Sequence, residues 1–118
     1  RNYLINELNK NDIKYSYFEM ATFENMNELY NCLDLYIVAS RFEGGPQAIL
    51  ECGITKTPII STDVGVASEI LAPESIFSMD DYSNAKSNID YAFNEASKYE
   101  METVFKLYKG MLKNLHEN

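Results

Sequence analysis

Tryptophan is absent, proline occurs three times, glycine five times and histidine once, at position 116 and two residues from the end of the 118-residue chain. A lone terminal histidine excludes histidine-based acid–base or metal chemistry as the centre of any site here. Two cysteines, Cys32 and Cys52, are too few for a disulfide framework or a zinc-type spacing. Both lie in apolar helical patterns, so they read as buried free thiols in a reducing compartment. Basic residues are also scarce: 10 Lys+Arg stand against 18 Asp+Glu, a formal net charge of -8, which argues against a nucleic-acid partner. No apolar run approaches the roughly 18 residues of a membrane helix, and the opening RNYLINELNK lacks the apolar core of a signal peptide, so the segment reads as soluble. Its first residue is not Met and its first turn already has helical spacing. The chain is therefore expected to start inside a longer polypeptide.

What is present is alternation. Leu4, Ile5 and Leu8 give a short helix over 2–9, and IKYSYF predicts a strand over 13–18. Met26, Leu29, Tyr30 and Leu33 restore helical spacing over 24–33. LYIVAS, 35–40, is apolar on both faces, as buried parallel strands are. Pro46 suits the first turn of a helix that Gly53 is expected to end with a positive φ. TPIIST, 57–62, predicts another buried strand, the Asp63-Val64-Gly65 turn leads to a short helix through Leu71, and residues 75–79 give a weak fourth strand. Helical stripes follow, Ile89 to Ala96 and Met101 to Leu115. Strands alternating with helices predict a parallel α/β sheet with flanking helices, over residues 1–80, with C-terminal helices over 81–118 completing or bridging the domain. Six of the nine tyrosines are assigned to packing: Tyr3, Tyr30 and Tyr108 in helices, Tyr15, Tyr17 and Tyr36 in strands.

The stretch FEGGPQAILE places Glu43 and Glu51 eight positions apart across a glycine turn and a helix start. In a parallel α/β sheet, ligands sit beyond the carboxyl ends of the strands, and LYIVAS delivers the chain to that edge. Gly44 and Gly45 let the backbone approach a ligand, and the free amides around Gly45, Gln47 and Ala48 can hold a diphosphate. Glu51 lies about 7.5 Å along the helix from Pro46 and shares a face with Gln47. That is too far to reach the same phosphate, and a carboxylate there can accept hydrogen bonds from a ribose diol. Two readings remain open on spacing alone. The acids are a surface Glu and a helix-capping Glu, or they frame a nucleotide sugar, with ribose at Glu51, phosphates at the turn and a polyhydroxylated group near Glu43. Ser61, Thr62 and Gly65 would edge that pocket. Asp63, Glu69 and Glu43 could cluster but lie on separate turns without a histidine, so no metal is expected.

The run YNCLDLYIVASRFEGGPQAILECGITKTPIISTDVG resembles the C-terminal, nucleotide-sugar-binding domain of the retaining glycosyltransferases of family 4, two-domain enzymes of the GT-B type. Their hallmark is a Glu, seven residues and a second Glu, matched by Glu43 and Glu51. Ser40 closing the strand, the Leu50-Glu51-Cys52-Gly53 step and Pro58 before Thr62-Asp63-Val64-Gly65 reinforce it. The resemblance implies a Rossmann-like fold and transfer of a sugar from a nucleoside-diphosphate donor to a hydroxyl acceptor, in glycan or cell-surface polysaccharide synthesis, with no further cofactor. It implies that Glu51 binds the ribose hydroxyls, that Glu43 is the catalytic residue, lying by the donor sugar and reacting centre, and that the backbone of Gly44, Gly45 and Gln47 faces the sugar and diphosphate. Pro46 stands where many members have glycine, and Cys52 where alanine is commoner.

The family's early basic pair and its facing acceptor domain have no counterpart here; Arg41 and Lys56 do not occupy the pair's position and read as solvated. The expected partners are therefore the remainder of the enzyme, the nucleotide sugar and the acceptor. The segment alone is expected to be inactive, with uncovered strand edges that favour self-association. A cytoplasmic location, at the inner face of a membrane through the parent protein, completes the expectation.

Overall fold

The computed structural model describes residues 1–17, 23–42, 44, 47–99 and 113. In chain order these form α1 (Asn2–Lys10), α2 (Phe23–Cys32), β1 (Tyr36–Val38), α3 (Gln47–Ile54), β2 (Ile59–Thr62), α4 (Ala67–Ile70), β3 (Ile76–Phe77) and α5 (Ile89–Ser97), with short 3-10 turns at Pro73–Ser75 and Tyr82–Asn84. The three strands make one parallel sheet in the order β1-β2-β3, with Tyr36 opposite Ile59, Val38 opposite Ser61 and Thr62 opposite Phe77. Parallel neighbours need a crossover, which α3 supplies between β1 and β2 and α4 between β2 and β3. This is a Rossmann-like α/β arrangement, as the alternation predicts.

The core lies around β2. All four of its residues are buried, because strands cover both of its edges and helices its faces. Ile49 and Cys52 of α3, Ile70 of α4 and Ala96 of α5 are sealed from solvent and pack with Ile59 in one cluster. Burying an isoleucine side chain contributes about 1.5–3 kcal/mol, so this cluster dominates the stability of the described fold. The helix α5 begins at Asn88, whose side chain accepts from the Tyr91 amide at 3.1 Å. The buried Ser75 hydroxyl donates to the Lys86 carbonyl at 2.8 Å and ties the preceding loop to the end of the sheet.

Several expectations are corrected. Gly53 does not end α3. It lies inside the helix, where a Cβ would stand 2.6 Å from Ala96 Cβ and 3.0 Å from the Ala92 carbonyl oxygen. Its role is to let α3 and α5 touch nearly backbone to backbone, which spacing along one helix cannot reveal. The helix ends instead at Lys56, which takes a left-handed φ of 56°, with the Lys56 amide bonded to the Gly53 carbonyl and the Thr57 amide to the Cys52 carbonyl. That pair of bonds is a Schellman motif. The same motif ends α1, with Asp12 at φ 55°.

The strand predicted at 13–18 is not formed at 13–17, and residue 18 falls outside the described residues. No neighbouring strand offers hydrogen bonds to it among the described residues, and Ile13, Tyr15 and Tyr17 are exposed. The other strands are shorter than expected because pairing stops where the parallel register runs out. Tyr3 is exposed rather than packed, since α1 buries none of its residues, whereas Tyr30 is buried as expected. Cys32, at the end of α2, is exposed, so only Cys52 fits the buried-thiol reading. Lys56 is exposed, as expected of a solvated side chain, and its ammonium lies 4.5 Å from the centre of the Phe93 ring. The Met101–Leu115 stripe, Tyr108 and His116 lie outside the described residues, as do Glu43, Gly45 and Pro46.

Candidate functional site

The carboxyl ends of β1 and β2 converge on the first turn of α3, and two clefts open there. One, of about 400 Å³, is lined by Arg41, Phe42 and Gly44 after β1 and by Asp63, Val64 and Gly65 after β2. The other, of about 300 Å³, runs beside β1 and is lined by residues 36–40 together with Gln47 and Ala48 of α3. Gly65 has a φ of 52°, a left-handed turn that folds the chain back towards α4 after β2. Among the described residues, Arg41 is the one basic side chain that lines either cleft. Phe42 is 92% exposed at the lip.

Of the residues singled out in the sequence, Gly44 lies in the larger cleft and Gln47 in the smaller. Thr62 stands behind them, buried, with its hydroxyl donating to the Ser40 carbonyl at 2.6 Å. That bond ties the segment after β1 to the end of β2 and spends the hydroxyl proton, leaving only the oxygen lone pairs for any ligand. Glu51 lies one turn beyond Gln47 on the same helix face, half-buried.

The Glu51 carboxylate is held. Tyr30, on the last turn of α2 and 4% exposed, donates its hydroxyl to Glu51 Oε2 at 2.6 Å. Burial first, and then the adjacent Glu51 carboxylate, pushes the Tyr30 phenol well above the usual tyrosine range. The same two causes push the Cys52 thiol up to about 12, so neither group supplies a nucleophile at neutral pH. Helical spacing gives Tyr30 a packing role alone; its hydroxyl reaches across 21 positions in sequence, and no local pattern carries that information. The role of Thr57 is likewise hidden from local pattern. Thr57 is buried, and its hydroxyl donates to the Tyr30 carbonyl at 2.9 Å. The only available signal was a pair of threonines flanking Lys56 just after an apolar helix.

Among the described residues no three or more His, Cys, Asp or Glu side chains converge as a metal site, and no helix is long and apolar enough to cross a membrane. What the geometry offers is a helix start whose first amides lack intrahelical acceptors, set at the strand ends, with an oriented carboxylate one turn behind. Residues 3–90 match the family model described as glycosyl transferases group 1. No curated protein and no solved structure shows significant similarity to the chain.

Proposed function

The chain belongs to the group 1 glycosyl transferases, and on that premise we propose that it binds the donor of a retaining transferase, a nucleoside-diphosphate sugar whose sugar passes to a hydroxyl acceptor. The observation that carries this reading is the meeting of the two clefts at the start of α3, the place where an open parallel sheet receives its ligand. The diphosphate lies against the amides of the first turn, near Gln47, and the ribose lies further along the helix at Glu51. The family resemblance assigns the donor sugar to Gly44 and Gly45 and the reacting centre to Glu43; of these only Gly44 is among the described residues.

Catalysis on this reading is electrostatic. Negative charge grows on the diphosphate as the bond to the sugar breaks, and preorganised amide dipoles stabilise it without reorganising. Among the described residues Arg41 is the single cation lining the clefts, and one guanidinium offsets little of a diphosphate charge. The 118 residues alone are accordingly read as donor-binding but not turning over, with further basic groups and the acceptor site supplied by the rest of the enzyme. The reading extends to glycan or cell-surface polysaccharide synthesis in the cytoplasm, at the inner face of a membrane.

Calorimetry on the full-length protein with UDP, GDP and ADP tests the donor site. Glu51→Gln is expected to weaken the tightest of these by about 1.5–3 kcal/mol, the scale of hydrogen bonds to a charged group. Unchanged affinity would return Glu51 to a helix-surface role. A screen of nucleotide sugars by mass spectrometry names the donor, and NMR of the anomeric proton reads the stereochemistry; an inverted product would overturn retention.

A further inference from the structure

We propose that Tyr30 is a positioning residue, whose buried hydroxyl fixes the Glu51 carboxylate so that its second oxygen is presented to the hydroxyls of a ribose. The proposal rests on the reading of Glu51 as the ribose acceptor and adds the group that orients it.

Three contacts hold Tyr30. Its ring lies 5.8 Å from the ring of Tyr36 at a tilt of 48°, its carbonyl accepts from Thr57 Oγ1 at 2.9 Å, and its hydroxyl donates to Glu51 Oε2 at 2.6 Å. The Thr55 hydroxyl oxygen lies 2.8 Å from that of Thr57 and 2.8 Å from the Glu51 carbonyl oxygen; with the Thr57 proton given to Tyr30, the single Thr55 proton serves one of these two acceptors at a time. Tyr30 is thus fixed both at its backbone, by Thr57, and at its hydroxyl, by the Glu51 carboxylate. A glutamate on a helix surface samples several rotamers, and an anchored one has lost them before any ligand arrives.

A phenol has one proton to give, so it engages one carboxylate oxygen. That leaves Glu51 Oε1 unused by Tyr30. A carboxylate is also a costly acceptor for a buried hydroxyl if satisfying that hydroxyl were the whole purpose, because the charge is partly withdrawn from water; a backbone carbonyl would serve. Burial and the Glu51 charge keep the phenol protonated, so it remains a donor across the working pH range.

The test compares UDP, GDP and ADP with their 2′-deoxy counterparts by calorimetry on the full-length protein, using the base that binds most tightly. The wild-type protein is expected to prefer the ribose form about tenfold, and Glu51→Gln to bring the ratio near one. Tyr30→Phe is expected to reduce the ratio at least threefold while leaving the affinity for the 2′-deoxy form unchanged. A purely structural role for Tyr30 predicts parallel losses for both forms and an unchanged ratio, and that result overturns the proposal. Absence of any preference in the wild-type protein would overturn the ribose reading and this proposal with it, an outcome distinct from discrimination that depends on Glu51 but not on Tyr30. Should Tyr30→Phe fail to fold, Thr57→Val removes the anchor of the Tyr30 backbone and is expected to lower the ratio in the same direction; an unchanged ratio there counts against the proposal.

Discussion

Residues 13–17, Ile-Lys-Tyr-Ser-Tyr, and residues 59–62, Ile-Ile-Ser-Thr, both combine large apolar with small polar side chains, yet only the second segment is a strand. In β2 every residue is buried, with β1 and β3 on its two edges. In 13–17 every residue is exposed and no described strand lies alongside. The side chains are equally suited to a pleated surface, so the difference comes from neighbours. Strand propensity records fit to a half-buried surface, and without cross-strand partners it has nothing to act on. The helices divide the same way: α3 is sealed at Ile49, Cys52 and Gly53, while α1 buries nothing.

If stability resides around β2 and not in the first 17 residues, removing apolar volume there should dominate. Ile49→Ala, at a position fully sealed from solvent, is expected to cost about 2–5 kcal/mol in chemical denaturation. A loss below about 1 kcal/mol would mean that the cluster is looser than its burial suggests.

The next largest effect concerns the contact between α3 and α5. Alanine is a better helix former than glycine by about 1 kcal/mol, but a Cβ at position 53 would meet Ala96 Cβ at 2.6 Å and backbone oxygen at 3.0 Å. Overpacking costs about 1–3 kcal/mol, so Gly53→Ala should be destabilising on balance. A rise in the denaturation midpoint would show that the helices can part freely.

A pH titration sharpens the comparison further. The folded-state value of the Cys52 thiol, about 12, lies above its ordinary 9.0, so its contribution is complete below pH 9 and is lost as pH climbs from 9 towards 12. The slope from this group is at most about 1.4 kcal/mol per pH unit, and Cys52→Ala should remove it. An identical alkaline slope in that variant would assign the loss to other groups. Smallest of all, Ile13→Ala, at a residue 53% exposed, should change stability by less than about 0.5 kcal/mol. A loss on the scale of Ile49→Ala would show that the first segment is packed after all.

Much of this layout was legible in the chain. The order of helices and strands followed from period, and the position of α3 at the strand ends followed from Ser40, the paired glycines and Pro46. The shared face of Gln47 and Glu51 followed from helical geometry alone. The features that local pattern does not carry depend on distant partners. Gly53 is small because of Ala92 and Ala96, some forty residues away. Tyr30 looks like any core tyrosine until α2 and α3 are brought together. Lys56, an unlikely residue for a left-handed turn, is held there by Phe93 and by the two amide bonds that close the helix.

That last arrangement bears on how a protease would meet the molecule. Lys14 and Lys56 are both exposed lysines outside regular structure, and both offer a peptide bond that trypsin accepts in principle. Cleavage requires the chain to lie extended in the enzyme. At Lys14 no helix or sheet resists that. At Lys56 the amides on both sides of the scissile step are bonded back into α3, the backbone is left-handed and the ammonium sits over an aromatic ring. Trypsin can cut there only after the end of α3 opens, so the rate of nicking at Lys56, set against that at Lys14, becomes a clock for local unfolding beneath Glu51.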